Sequence, residues 1–181
     1  MDFVYHVVSE KPMTLGQQIV FDENHYNGVY HRVITFKRIR DGEDISGALA
    51  DFIKSDLDKW AKVAYRELAL EKVRKEHYPD YPSRMACLYT SRALEDAEKW
   101  ADFFQKVGRT VYSIVKLKIV GNIFDGDACN CFDGTTDENE NVRLAHRYWK
   151  NDVIIENPVI ETLVDGDITV VEIIKRFSAE A

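Results

Sequence analysis

The order of apolar and polar residues divides the chain into alternating, helical and irregular stretches. Phe3 to Ser9 alternates, with Phe3, Tyr5 and Val7 on one face of a predicted strand and Val4, His6 and Val8 on the other. Residues 10–28 show no period and are punctuated by Pro12 and Gly16. Val29 to Phe36 is rich in Val, Ile, Tyr and Thr, which predicts a second strand ending before Asp41-Gly42. From Ile45 to about Glu76 the spacing is helical. Leu49, Ile53, Leu57, Trp60, Ala64 and Leu68 trace one stripe, with a bend expected between Ser55 and Asp58. The opposite side is charged, with Glu71 and Lys75 one turn apart, and reads as a solvated face.

The middle of the chain carries the strongest pattern. Met85, Cys87 and Tyr89 alternate with Ala86, Leu88 and Thr90, and both sets are largely apolar, which predicts a central strand covered on both sides. A helix follows, with Leu94, Ala97, Ala101 and Phe104 on one face, widened by Trp100 and Val107. Thr90 or Ser91 is its expected cap, Glu95 and Asp96 suit its positive end, and Gly108 is its expected stop. Arg109 to Val120 alternates again and Gly121 closes it. The acidic stretch Phe124 to Asn141 reads as a long solvated loop, and Asn141 to Trp149 as a short helix. Pro158 to Lys175 reads as two strands joined at Asp165-Gly166 by a hairpin turn or a wider connection.

Length and composition fit one domain with a sizeable core: 181 residues, 45% of them apolar. The net charge of −7 argues against a nucleic-acid binder but leaves room for a nucleotide-type small molecule held by one or two local cations. No apolar run approaches the roughly 20 residues of a membrane span. Three cysteines and an acidic start without a leader pattern point to reduced thiols and a cytoplasmic setting.

Motif chemistry narrows the field further. Glycine-rich phosphate loops and the nucleophile elbow are absent. A calcium loop starting at Asp125 would place Cys129 and Asn130 where an oxygen ligand and a glycine are required, and Cys129-Asn-Cys131 is too tight for paired zinc ligands. Two residues stand out. His6 lies among valines, either as a buried histidine with one hydrogen-bond partner or as a ligand-orienting group. Glu161 interrupts a β-rich segment, either as an edge-strand charge facing water or as a carboxylate aimed into a cleft. Glu172 poses the same choice, with the structural reading favoured.

Three separated pieces resemble the ADP-ribosyltransferase-like fold. They are Tyr5-His6-Val7-Val8; Leu88-Tyr89-Thr90-Ser91 with the helix bearing Ala97; and Glu161-Thr-Leu-Val164 followed by Ile168 to Ile174. The second piece is closest to a toxin branch with an arginine–tyrosine signature. The whole chain, including Glu71-Lys-Val-Arg74 and Tyr81-Pro-Ser-Arg84, resembles a bacterial and phage family of unknown function associated with that fold. The resemblance implies an α+β domain over residues 1–181, with a split two-sheet core, flanking helices and a cleft. It implies NAD as substrate; no metal is expected, because the acidic stretch is short of ligands. By carry-over, His6 would bond a ribose hydroxyl or the nicotinamide amide, and Tyr89 would stack on the nicotinamide. Arg84 would meet the pyrophosphate, with a salt bridge as its alternative. Glu161 would be the catalytic carboxylate, accepting from the ribose 2′-OH and stabilising an oxocarbenium-like transition state.

The sequence departs from that pattern in three places. A Ser-Thr-Ser motif is absent, His6 stands where the toxin branch has arginine, and Val159 stands where some members position a protein acceptor. A macromolecular acceptor is therefore left open. NAD-dependent transfer or NAD hydrolysis is the leading expectation, and a non-catalytic binding protein on this fold is the alternative. A phosphotransfer or RNA-processing enzyme is a third.

Overall fold

The computed structural model describes residues 2–151, 156 and 158–177. Its chain runs β1 (Asp2–Val8), β2 (Gln18–Phe21), α1 (Gly28–Arg40), α2 (Ala48–Lys54), α3 (Leu57–His77), β3 (Leu88–Thr90), α4 (Leu94–Lys106), β4 (Ser113–Val120), β5 (Ile123–Asp127), α5 (Glu138–Lys150), β6 (Ile160–Val164) and β7 (Gly166–Arg176). A short 3₁₀ turn, Ala128–Asn130, follows β5. The fold is α+β, with five helices and two antiparallel sheets among the described residues. The four-stranded sheet has the order β1-β4-β7-β2, and the three-stranded sheet has the order β3-β6-β5.

The layers follow from which side chains each face must bury. Val4 and Val8 of β1 join Val115, Leu117, Ile119, Ile168 and Val170 in an apolar cluster between the sheets, and Val164 of β6 meets them from the other side. Val7 points the opposite way and packs with Ala97 and Ala101 of α4, so that helix covers the outer face of the larger sheet. Leu163, Phe124 and Cys87 pack against Leu70 and Val73 of α3 and against Tyr148 and Trp149 of α5. The smaller sheet therefore lies between the larger one and two helices.

Several expectations need correction. The stretch read as a strand over Val29–Phe36 is α1. The Asn27 side chain accepts from the backbone N–H of Val29 and Tyr30, which starts the helix, and Val33 and Phe36 are then buried against Ile53 and Trp60. Packing at helical spacing outweighs the strand preference of its β-branched residues, which is a weak bias. The bend expected near Ser55 is present as the break between α2 and α3, where Asp56 caps Lys59. Only Leu88–Thr90 of the expected central strand is a strand, and it lies at a sheet edge. Both of its faces are covered because the smaller sheet is sandwiched. Neither Thr90 nor Ser91 caps α4. The Thr90 hydroxyl donates to the Thr162 carbonyl, and Ser91 exchanges backbone hydrogen bonds with Tyr5. Gly108 stops α4 with φ +79° as its position requires. The acidic segment is no simple loop, since it contributes β5, the 3₁₀ turn and the start of α5.

The largest difference concerns Asp165-Gly166. Such a dipeptide signals a hairpin, but β6 and β7 do not pair with each other. Instead β4 continues into β5 and β6 into β7, and the two long segments pair antiparallel throughout. After irregularities at Ile114/Val115 and Lys116/Leu117, the register is constant from Leu117 onward: Leu117 faces Val170, Val120 faces Asp167, Ile123 faces Val164 and Asp127 faces Ile160. The two sheets are thus two halves of one ladder, bent at Gly121-Asn122 and Asp165-Gly166. Asn122 N–H donates to Asp165 Oδ1 at 2.7 Å, and Asp165 N–H donates to the Asn122 carbonyl at 3.2 Å. Gly121 is required at this bend, because a Cβ there would stand 2.2 Å from the Asp165 carbonyl oxygen. Gly121→Ala is expected to destabilise the fold by about 2–3 kcal/mol through this clash. Urea unfolding measures it; a loss below about 0.5 kcal/mol, the level of an ordinary surface change, would contradict the bend as described.

Candidate functional site

The two sheets also meet at their edges. Tyr5 N–H donates to the Ser91 carbonyl and Ser91 N–H to the Tyr5 carbonyl, both at 2.8 Å, joining β1 to the end of β3. Beside this bridge lies a cleft of about 710 Å³. His6, Tyr89 and Glu161 line it, together with Tyr26, Lys11 and Arg32.

His6 stands across the split between the sheets. Its Nδ1 lies 2.8 Å from the Tyr89 carbonyl oxygen, which can only accept, so Nδ1 carries the proton. Burial lowers the imidazole pKa below the ordinary value of 6.5, against the opposing pull of that carbonyl and of Glu10. The ring is therefore neutral near pH 7, with Nε2 as a lone-pair acceptor. Nε2 makes no hydrogen bond among the described residues, and the ring lines the cleft. His6 has the one hydrogen-bond partner of the structural reading, and its second ring nitrogen is left as an acceptor at the cleft.

Tyr89 is anchored at its hydroxyl, which donates to the Arg84 carbonyl at 3.1 Å. Burial pushes its phenol well above the ordinary value, as it does for Tyr148, so both stay protonated. Cys87 also touches the cleft, but burial holds its thiol well above the usual range and makes it a poor nucleophile.

Glu161 is on β6, the middle strand of the smaller sheet, which corrects the edge-strand reading. Its Oε1 accepts from Arg84 Nη1 at 2.9 Å and from the Tyr148 hydroxyl at 2.7 Å. Its Oε2 has no hydrogen-bond partner among the described residues. Glu172, by contrast, is exposed.

Arg84 takes its alternative reading. Its guanidinium is buried and away from the cleft lining. Nε donates to Glu67 Oε2 at 3.1 Å, and Nη1 donates to Tyr148 Oη at 2.7 Å as well as to Glu161. The guanidinium carbon also lies 4.9 Å from the Tyr148 ring centroid and 5.4 Å from that of Tyr89. Burial opposes its charge, but Tyr89, Glu67, Tyr148 and Glu161 more than compensate. The structure thus brings His6, Tyr89 and Glu161 together at the cleft and sets Arg84 behind them.

Glu67 and Tyr148 were missed by sequence reading. Glu67 is 1% exposed on α3, and its other oxygen pairs with Arg66. Burial alone would raise its carboxyl pKa; the Arg84 and Arg66 charges outweigh that and leave it below 4.5. A signal was present, since Glu67 falls in step with the buried Ala64, Leu70 and Val73. Tyr148 carried none beyond its place beside Trp149.

Among the described residues, no helix is long and apolar enough to cross a membrane. No curated protein matches the sequence. A family model described as "Protein of unknown function (DUF2441)" matches residues 4–176. That span contains His6, Glu67, Arg84, Tyr89, Tyr148 and Glu161, and the chain belongs to this family.

Proposed function

We propose that the cleft binds NAD⁺ and that the protein cleaves its nicotinamide–ribose bond, passing ADP-ribose to an acceptor or to water. The observation that carries this reading is the convergence at one cleft of an accepting His6 Nε2, an anchored Tyr89 ring and a Glu161 oxygen without a hydrogen-bond partner among the described residues. When the C1′–N bond breaks, nicotinamide leaves with the electron pair and positive charge builds on the sugar. A carboxylate beside that centre stabilises the charge, and an incoming hydroxyl closes the new bond at C1′ and releases its proton. His6 Nε2 accepts from a ribose hydroxyl in this scheme, and Tyr89 offers a flat face to the nicotinamide. The bent two-sheet core and the Tyr5–Ser91 bridge support an ADP-ribosyltransferase-like fold.

One observation favours a non-catalytic binding protein as the second reading. Arg84 lies 2.9 Å from Glu161, and its charge weakens the field that the carboxylate offers to a cation.

Calorimetric titration with NAD⁺ separates these readings when nicotinamide release is followed in parallel. Wild type is expected to bind saturably, and His6→Ala to weaken binding by about tenfold, the scale of one lost hydrogen bond of about 1.4 kcal/mol. Binding with release supports catalysis, and binding without release supports the second reading. Folded protein that binds no NAD⁺ at millimolar concentration overturns both assignments of the cleft to NAD⁺.

A further inference from the structure

We infer that Glu67, Arg84 and Tyr148 form a positioning relay that holds one oxygen of Glu161 and thereby presents the other to the cleft; this rests on the reading of the cleft given above. Four elements meet here: Glu67 from α3, Arg84 from the turn before β3, Tyr148 from α5 and Glu161 from β6. The contacts run in one direction, from the interior to the cleft. Glu67 is sealed from solvent, does not line the cleft and, among the described residues, is linked to Glu161 through Arg84. A single Arg84 nitrogen, Nη1, serves both the Tyr148 oxygen and Glu161 Oε1. The Tyr148 hydroxyl then spends its proton on that same Oε1. A carboxylate gripped twice at one oxygen cannot rotate freely about its last torsion, so Oε2 keeps its direction.

Burial of a second carboxylate gives the arrangement its logic. Without Glu67, Arg84 would have Glu161 as its only carboxylate partner among the described residues and would be drawn onto both of its oxygens, since a guanidinium matches a carboxylate in bidentate fashion. Glu67 holds Arg84 back at Nε and leaves only the Nη1 contact to Glu161. The three residues are positioning residues, because none of them is asked to touch substrate.

Tyr148→Phe and Glu67→Gln in the full chain test this with two readouts. The first uses no ligand: carbodiimide-driven coupling of an amine to Glu161, read by peptide mass spectrometry. Loss of the phenol hydroxyl removes one of the two grips on Oε1 and leaves the Arg84 contact, and coupling at Glu161 is expected to rise about threefold in Tyr148→Phe. An unchanged rate overturns the relay. The second readout is kinetic. In both variants kcat for nicotinamide release is expected to fall about tenfold, with the NAD⁺ Kd within about threefold of wild type. Losses of kcat, binding stoichiometry and Tm in parallel reflect a smaller folded fraction and overturn it as well. If Glu67→Gln does not fold, Tyr148→Phe decides alone. A change in coupling in a protein that neither binds nor cleaves NAD⁺ sustains the relay and overturns the NAD⁺ reading.

Discussion

Glu161→Gln is expected to lower the rate of nicotinamide release by about 10²–10³-fold while NAD⁺ affinity stays within about threefold of wild type. Glutamine keeps the shape and an oxygen that accepts from Arg84 and Tyr148, so the local hydrogen bonds survive. What disappears is the negative charge, which acts mainly on the cation developed in the transition state and little on the ground state. An electrostatic stabiliser of this kind supplies about 3–4 kcal/mol in a water-poor site. The split between kcat and Kd is the diagnostic feature. Full activity in Glu161→Gln would remove the carboxylate from the mechanism, and an equal loss of affinity and rate would assign it to binding alone.

Arg84→Ala is expected to be the most destabilising single change at the site, at about 3–5 kcal/mol near neutral pH. Its guanidinium separates two carboxylates, one sealed in the interior and one with a side chain 12% exposed. Removing it leaves Glu67 with Arg66 as its ion-pair partner among the described residues and frees Glu161 from its pair with Arg84. The cost also depends on pH. In wild type the folded Glu67 carboxyl lies below its ordinary value of 4.5. The stability it contributes is therefore complete above that value and is lost as pH falls through the lower folded value. In Arg84→Ala burial dominates, the folded carboxyl moves up, and uptake of a proton relieves the penalty. The gap between wild type and variant therefore narrows in acid. Urea unfolding at pH 7 and near pH 4 measures both terms. A gap that is small at pH 7, or that widens in acid, would show that Glu67 does not depend on Arg84.

The parts of this fold that read correctly from sequence are those with local causes. β1 and β4 are rich in β-branched residues and β4 alternates from Val115 onward, α4 and α5 carry strong apolar stripes, and the break between α2 and α3 follows from Asp56 capping the next turn. The reading of α1 as a strand rests on its Val, Ile, Tyr and Thr content, whereas Val29, Val33 and Phe36 stand four and three apart as in a helix, and what they pack against decides. The bent ladder was hidden for a related reason. Asp165-Gly166 has hairpin chemistry, but only its partner Gly121-Asn122, over 40 positions earlier, turns it into a bend. The site divides similarly. His6, Tyr89 and Glu161 were legible through short motifs, whereas the Arg84 contacts span 17, 64 and 77 positions and no local pattern encodes them. Glu67 was the one readable clue, a charge in step with buried apolar neighbours.

The bend at Gly121 and Asp165 also governs how the molecule comes apart. Because both sheets share one continuous pair of strands, neither can melt while the other persists without breaking the ladder at its tightest point. The strands from Leu117 to Asp127 and from Ile160 to Val170 form one cooperative unit, and amide exchange across the bend should be lost together at the global unfolding free energy. The opposite wall of the cleft, residues 10–13 and 26–32, lies outside that ladder, while β2 between these stretches is paired to β7. The wall bearing Glu161 thus belongs to the cooperative ladder, and ligand entry is expected to draw on the side formed by residues 10–13 and 26–32.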